Sequence, residues 1–366
     1  MGPPLEFSWE TLNTIVGGGS AIDVQRLHIH SVNEAEAFLE GYGFVWTQAA
    51  HRREIEALRT EAVAFIEEIL LVDEDGLQIP PEVRQRTDVR HLMIWASEPV
   101  QSVRQRWCCA MLRVMHTIAH ADSTLNRRFG TQIREQILER FNPHLSLAEE
   151  GWVLGRGKRA VPLVGFEVKD AKALHSVVVK LLHKVENVAA DIFDRVGVRF
   201  VTRERFDALM VVNYLRANNV IMFANVKPSR SRNTLIDMGW LREEAAQLDE
   251  AVAQGLMTAQ DRLDELRRLV RARPFPVSPP ADYNAFSAVD YHAIQFTCRQ
   301  QIRLRNALAA PGRGRDELRF FFPFEIQILD QESYALSRSG LAAHDVYKKR
   351  QLAAVKRRVL GSLLPL

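Results

Sequence analysis

Charged and polar side chains recur at a fixed spacing early in the C-terminal half of the chain. Lys172, Ser176 and Lys180 are each four residues apart, so they lie on one face if the segment is an α-helix. Two ammonium groups and a hydroxyl near the start of a helix suit a polyphosphate. The alternative is a solvated helix face, which is the more common occurrence of such a set taken alone.

Two carboxylates accompany strand-like segments further along the chain. Asp194 precedes the segment GVRFVT, which contains Arg199, and the segment FEIQIL contains Glu325 and Gln327. On neighbouring strands the two acids would repel each other unless a cation lay between them. Mg²⁺ takes one or two carboxylates together with substrate phosphates, so this pair is a candidate magnesium site. Taken singly, each acid also fits a turn or a paired surface position.

The elements that would position these residues change in type near Gly151. Segments 34–44, 51–71 and 103–121 carry apolar residues at helical spacing, and Trp107, Cys108 and Cys109 are predicted core. The later pattern predicts a β-hairpin at 151–168 and further strands at 194–202, 220–226, 291–304 and 319–329. It also predicts helices at 171–189, 204–219 and from 332 past 350. An inserted helical hairpin is predicted at about 240–273, with Thr258 as a helix cap.

This order of elements predicts an α+β protein of two domains. Residues 1–150 are expected to form an all-helical N-terminal domain. Residues 151–366 are expected to form a mixed, mostly five-stranded sheet flanked by helices, with the strand after Asp194 next to the strand of Glu325.

The segment from Glu325 to Lys349 resembles the synthetase domain of the RelA/SpoT family, the alarmone pyrophosphokinases. That family has a Glu-(Val/Ile)-Gln-Ile strand, followed by a helix whose residues are matched here by Gly340, Ala342, Ala343, His344, Tyr347 and Lys348. The family also has Lys-x-x-x-Ser-x-x-x-Lys and Asp-x-x-Gly-(Val/Ile)-Arg motifs, matched in the same order by the residues from Lys172 to Lys180 and from Asp194 to Arg199.

The resemblance implies a nucleotidyltransferase-like fold and an ATP-binding pyrophosphokinase, a transferase. It assigns the triphosphate to Lys172, Ser176, Lys180 and Arg199, and it assigns Mg²⁺ to Asp194 and Glu325. Gln327 would help to orient the acceptor hydroxyl, and Tyr291 would stack on the acceptor base.

The chain departs from the family mainly where the acceptor would bind. The acceptor loop from Asp282 to Gln295 is one residue shorter than in the family and lacks the family's Pro-Lys and Asn-Gly, and Gln295 stands in place of a histidine. Leu329 replaces the arginine that follows the Glu-Ile-Gln-Ile strand motif. Asp170 replaces an arginine near the phosphate helix, and Lys169 and Arg159 are the candidates to substitute for that arginine.

These departures leave two functions open. The first is ATP- and Mg²⁺-dependent transfer of pyrophosphate to a ribose hydroxyl of a nucleotide or of an RNA 3′ end. The second is a catalytically inactive nucleotide-binding or protein-interaction module on the same fold. The basic loop 225–233 fits either phosphate contacts with a larger acceptor or a solvated surface.

Composition constrains the setting of the protein rather than its chemistry. The net charge is +3, which permits a phosphate-bearing ligand without requiring one. Three cysteines give no disulfide framework, and no apolar run reaches the length of a membrane span, so a cytoplasmic protein without a membrane partner is expected. His116 and His120 have a spacing that can bind a metal, although packed histidines fit their apolar helix better.

Overall fold

A computed structural model of the chain describes residues 16–17, 20–74, 76–99, 102–121, 124–149, 151–157, 160–169, 174–183, 196–276, 292–305, 317–338 and 344–364. The contacts between Cα atoms divide the chain into two compact units, and each unit draws on separate stretches of sequence. The first comprises Met1–Arg127, Lys172–Ile192 and Lys348–Leu366, and the second comprises Arg128–Ala171 and Phe193–Tyr347. The contacts thus group residues 128–150 with the second unit, whereas the sequence predicts a single boundary at residue 150.

Helices are described in both units. In chain order they are α1 (Val32–Gly41), α2 (Ala49–Phe65), α3 (Pro81–Arg84), α4 (Val89–Trp95), α5 (Val103–Ala121), α6 (Thr124–Leu138), α7 (Leu174–Leu182), α8 (Arg205–Ala217), α9 (Met238–Ala253), α10 (Ala259–Ala272), α11 (Gln331–Arg338) and α12 (His344–Leu360). A π-helical turn, Ile66–Leu70, continues α2. Within the described part of the chain, none of these helices is both long enough and apolar enough to cross a membrane.

The core of the first unit forms around α5. Trp107, Cys108 and Cys109 are buried in it, which confirms their prediction as core residues. α7 packs against α5, and its apolar face contributes Val177, Val178, Leu181 and Leu182 to the same core. Val355, Val359 and Leu360 of α12 also belong to this core. Because those side chains leave water together with α5, α7 groups with the first unit although it follows strands of the second.

The described residues of the second unit include a mixed sheet of seven strands. The strands are β1 (Leu145–Ala148), β2 (Gly151–Leu154), β3 (Val161–Lys169), β4 (Gly197–Thr202), β5 (Arg232–Asn233), β6 (Ile294–Arg305) and β7 (Glu317–Asp330), and their order in the sheet is β1-β2-β3-β4-β7-β6-β5. β4 and β7 are parallel, and the other neighbouring pairs are antiparallel. The predicted α+β class and mixed sheet are confirmed, with seven strands in place of about five.

Alternation along β4 and β7 separates an apolar face of the sheet from a polar one. Successive side chains of a strand point to opposite faces. On one face, Phe200 of β4 and Phe324 of β7 are buried, and the ring of Phe141 packs against both at centroid distances of 6.2 and 5.9 Å. The residues next to them in each strand, Arg199 of β4 and Glu325 of β7, lie on the opposite face. The apolar face thereby fixes the register that brings the polar residues together.

The predicted strand at 220–226 is wrong. Phe223–Asn225 is a 3₁₀ helix, and the segment meets the sheet at a single bridge from Val226 to Cys298. Val220 and Ile221 are both buried in succession, while Phe223 is 73% exposed. A short apolar run of this kind fits a buried turn as well as a strand, because its hydrophobic pattern has no period of two.

Other predicted elements agree with the structure in type. β2 and β3 form the predicted antiparallel hairpin, and β6 and β7 form the predicted antiparallel pair. α9 and α10 contact each other across the segment predicted as a helical hairpin. The predicted C-terminal helix corresponds to α11 and α12, with residues 339–343 outside the described part of the chain.

Candidate functional site

A row of polar side chains crosses five strands of the sheet. Glu167 of β3, Arg199 of β4, Gln327 of β7, Gln295 of β6 and Arg232 of β5 are successive register partners. Residues paired across adjacent strands project from the same face. The row therefore aligns two guanidinium groups, two amides and a carboxylate across the sheet.

A second row lies two residues further along the same face. Lys169 of β3 pairs with Gly197 of β4, Gly197 pairs with Glu325 of β7, and Glu325 pairs with Thr297 of β6. Because side chains two residues apart on a strand share a face, both rows face the same side. The chemistry of the site therefore centres on the parallel pair β4–β7.

Glu325 is the most enclosed charged group of this site. The residue is 7% exposed, and side-chain donors reach both carboxylate oxygens. Lys169 donates from Nζ to Oε2 at 2.5 Å, and Gln327 donates from Nε2 to the same oxygen at 3.1 Å. Gln295 donates from Nε2 to Oε1. A buried carboxylate is costly unless such partners replace its hydration, and here an ammonium group and two amides do so.

Arg199 connects the two rows through Gln327. Its Nη2 and Nε donate to Oε1 of Gln327 at 3.1 and 3.3 Å, and its Nη1 lies 3.0 Å from Oε2 of Glu167. Gln327 accepts from Arg199 and donates to Glu325, so its amide orientation is fixed by both neighbours. The Arg199 side chain keeps 24% of its surface exposed, which leaves the guanidinium accessible to an anion.

Helix α11 closes one end of the polar network. The hydroxyl of Tyr334 donates to Oε1 of Glu167, and Arg338 donates from Nη1 to the Tyr334 oxygen at 2.7 Å. The guanidinium carbon of Arg199 lies 5.8 Å from the centre of the Tyr334 ring. Lys169, Arg199 and Arg338 together with two carboxylates give this network one excess positive charge, which suits an anionic ligand.

The structure brings together three of the predicted site residues, Arg199, Glu325 and Gln327. The strand that follows Asp194 is the neighbour of the Glu325 strand, as predicted. Asp194, Lys172 and Tyr291 themselves lie outside the described residues. Ser176 is exposed on α7 and Lys180 lies one turn further along this helix of the first unit, so their assignment to a triphosphate stays a prediction.

Sequence reasoning did not identify Glu167, Tyr334 or the contact between Lys169 and Glu325. Lys169 was considered only as a substitute for a missing arginine. The signal that points to it is the glycine at position 197, which stands between Lys169 and Glu325 in the register of three strands.

The chemistry of Glu325 fits the magnesium role that the resemblance implies. Its carboxylate already binds one cation, the ammonium group of Lys169, which shows that this position stabilises positive charge. Among the described residues, no group of three or more histidine, cysteine, aspartate or glutamate side chains is arranged to hold a metal ion.

His116 and His120 pack within the first unit. Nδ1 of His116 lies 2.7 Å from the hydroxyl of Tyr42, and the two imidazole rings are 4.5 Å apart. Burial, together with the neighbouring His120, lowers the pKa of His116 to about 4. Tyr42 and His116 border a mainly apolar cavity of about 150 Å³. These contacts are those of packed, neutral histidines.

Comparison with known proteins gives no assignment, since no protein-family model matches the chain and no curated protein matches it significantly.

Proposed function

We propose that this protein transfers pyrophosphate from ATP to a ribose hydroxyl, on a nucleotidyltransferase-like synthetase fold joined to an all-helical N-terminal domain. One observation supports the proposal above others. The two motifs Asp-x-x-Gly-Val-Arg and Glu-Ile-Gln-Ile, more than a hundred residues apart, pair as parallel strands with Gly197 opposite Glu325 and Arg199 opposite Gln327. A chance likeness of two short motifs would not require such a register.

Each polar residue then has a chemical task. Arg199 and Lys169 bind oxygens of the triphosphate, because guanidinium and ammonium groups favour phosphate. Gln327 is held by Arg199 and Glu325, so its amide can orient the acceptor hydroxyl without losing its own geometry. The resemblance adds Lys172, Ser176 and Lys180 for the triphosphate and Tyr291 for the acceptor base.

The reaction forms a bond between the ribose oxygen and the β-phosphorus of ATP. The bond from that phosphorus to the oxygen bridging to the α-phosphorus breaks, AMP leaves with the electron pair, and the hydroxyl proton is released to water. Glu325 and Asp194 would hold Mg²⁺, which supplies electrostatic stabilisation of the charge that develops as the bond breaks. The partners are ATP as donor and a nucleotide or an RNA 3′ end as acceptor, in the cytoplasm.

Release of AMP tests this activity. The purified chain is incubated with ATP, Mg²⁺ and a panel of nucleotides and RNAs that end in a free 3′ hydroxyl, and AMP is quantified. Glu325→Gln keeps the shape of the side chain and removes its charge, so AMP release should fall by a factor of at least about 100, the loss typical for a group that stabilises transition-state charge. Glu317→Gln, on the same strand but remote from the polar rows, is the matched control and should retain activity. Equal AMP release from wild type and Glu325→Gln would rule out the assignment.

A second candidate is a catalytically silent nucleotide-binding or interaction module. The observation that favours it is the engagement of both Glu325 oxygens by side chains of the protein itself. In that case ATP binds, but no acceptor in the panel yields AMP.

A further inference from the structure

Lys169 reaches Glu325 across an intervening strand. The two residues lie on β3 and β7, with β4 between them, so their backbones are about 9–10 Å apart at the usual strand spacing. The lysine side chain covers this distance and brings Nζ to 2.5 Å from Oε2 of Glu325. A lysine side chain is long and flexible and commonly extends into solvent. Here it instead crosses a strand to reach one carboxylate.

Gly197 makes the crossing possible. It is the register partner of both Lys169 and Glu325, and the lysine side chain passes over it. A Cβ atom at position 197 would lie 2.8 Å from Cδ of Lys169, closer than real Cβ contacts come. The glycine therefore leaves room for the Lys169 side chain, and no unusual backbone conformation requires it.

The ammonium group occupies the coordination space that a metal ion at Glu325 would need. Oε2 accepts from Lys169 and Gln327, and Oε1 accepts from Gln295. Mg²⁺ gives up its water reluctantly and gains little from a carboxylate whose charge is already neutralised. The ammonium group of Lys169 can move away from Glu325 without crossing an apolar region, because 23% of the side chain is already exposed to solvent.

We propose that Lys169 is a built-in counter-cation that keeps Glu325 from binding a divalent metal ion until a polyphosphate draws the ammonium group away. The two ligands then bind together: the triphosphate takes Lys169, and Glu325 becomes free for the metal. This coupling rests on the proposed function for the identity of its anion, a nucleoside triphosphate. In the absence of metal and nucleotide, the ammonium group of Lys169 balances the charge of the Glu325 carboxylate.

Binding of Mn²⁺ to the nucleotide-free chain tests the first half of the proposal. Mn²⁺ substitutes for Mg²⁺ and is followed by electron paramagnetic resonance. Lys169→Met keeps a long unbranched side chain over Gly197 and removes the ammonium group. Mn²⁺ should bind this variant more tightly than wild type by a factor within the range of about 5 to 150 that is usual for coupled sites. The double variant Lys169→Met/Glu325→Gln should lose the gain.

Two further variants separate displacement of Lys169 from a general change in charge. Gly197→Ala retains every charge but pushes the lysine side chain aside, so it should also increase the affinity for Mn²⁺. Arg199→Met removes a positive charge from the same face without a direct contact to Glu325, and its gain should be smaller. If both Lys169→Met and Gly197→Ala bind Mn²⁺ no better than wild type while unfolding cooperatively, the proposal is wrong. A gain in Arg199→Met equal to that in Lys169→Met would also overturn it.

Binding of ATP in the presence of EDTA tests the second half, because coupling between two sites is reciprocal. Glu325→Gln releases Lys169 from its carboxylate, so this variant should bind metal-free ATP more tightly than wild type, whereas Lys169→Met should bind it less tightly. Weaker binding by Glu325→Gln would contradict the proposal. These affinities do not depend on turnover: failure of AMP release with the expected affinities would refute the proposed reaction alone, and AMP release without them would refute the coupling alone.

Discussion

At the scale of single residues, the candidate site depends on how one buried carboxylate is neutralised. Glu325 is compensated by an ammonium group and two amides of its own sheet. Removing one partner of such a pair leaves a charge with little water around it, so truncating Lys169 or Glu325 is expected to alter both ligand binding and stability. The use of Met and Gln as replacements limits this effect to the charge.

The pKa of His116 gives a residue-scale prediction for stability. Burial and the neighbouring His120 lower this pKa to about 4 from 6.5. Between these two pH values the unfolded chain binds a proton at this histidine and the folded chain does not, so the free energy of unfolding falls as the pH is lowered. The loss approaches about 1.4 kcal/mol per pH unit for one proton.

Urea unfolding between pH 6.5 and pH 5 measures this effect. His116→Gln removes the ionisable group and retains a hydrogen-bonding partner for Tyr42. Burial also lowers the pKa of His120, which adds to the slope with the same sign and remains in the variant. The pH dependence of the variant should be shallower than that of wild type, and identical slopes would show that His116 is not the group responsible.

The residues of the candidate site were predictable to the extent that each stands in a contiguous motif. Arg199, Glu325 and Gln327 follow from short strand segments with a recognisable order. The role of Lys169 depends instead on the register of three strands, in which Gly197 separates it from Glu325. Such a relation joins residues more than a hundred positions apart, and no local pattern encodes it.

At the scale of elements, the parallel pair β4–β7 positions the site. A parallel pair needs a long connection, and here the connection includes α8 and the α9–α10 hairpin. β7 was predicted correctly, because its segment 325–328 alternates polar with apolar residues and so gives the strand a polar and an apolar face. The segment 220–226 has no such alternation, and the two-residue β5 is too short to have any.

The start of α10 offers a test at this scale. The hydroxyl of Thr258 accepts from the backbone N–H of Asp261 at 3.1 Å, and the Asp261 carboxylate accepts from the backbone N–H of Thr258 at 2.9 Å. These reciprocal bonds form a capping box, and Thr258 is the N-cap of the helix, as predicted. Thr258→Ala should lower the free energy of opening α10 by about 1 kcal/mol, the usual contribution of such a cap.

Hydrogen exchange of the first amides of α10 measures that loss, with Thr258→Ser as the control that retains the hydroxyl. The exchange of β7 amides should remain unchanged, because the cap lies outside the sheet. Equal protection of α10 in the alanine and serine variants would show that the hydroxyl does not stabilise the helix.

At the scale of the whole molecule, the chain folds into two units that interleave along the sequence. Helical periodicity predicted most of the elements, but not which elements share a core. The apolar face of α7 looks the same in sequence whether it packs on the sheet or on α5, and the structure places it with α5. A boundary inferred from a change of pattern at residue 150 therefore differs from the division that the contacts make.

The last prediction concerns the acceptor, which should distinguish the protein from alarmone synthetases that it resembles. Leu329 stands where the family has an arginine and is fully buried, so no cation is available at that position for acceptor phosphates. Gln295 stands in place of a histidine and is committed to Glu325. Even a displacement of about 1 Å can slow an in-line transfer about a hundredfold, so AMP release with GDP or GTP as acceptor should be about a hundred times slower than with the best acceptor in the panel.

The measurement compares initial rates of AMP release with GDP, GTP and RNA bearing a free 3′ hydroxyl at a fixed concentration of ATP and Mg²⁺. RNA whose 3′ hydroxyl has been oxidised is the control and should give no AMP release. Rapid synthesis of guanosine tetraphosphate or pentaphosphate would show instead that the altered residues leave the guanine nucleotide acceptor in place.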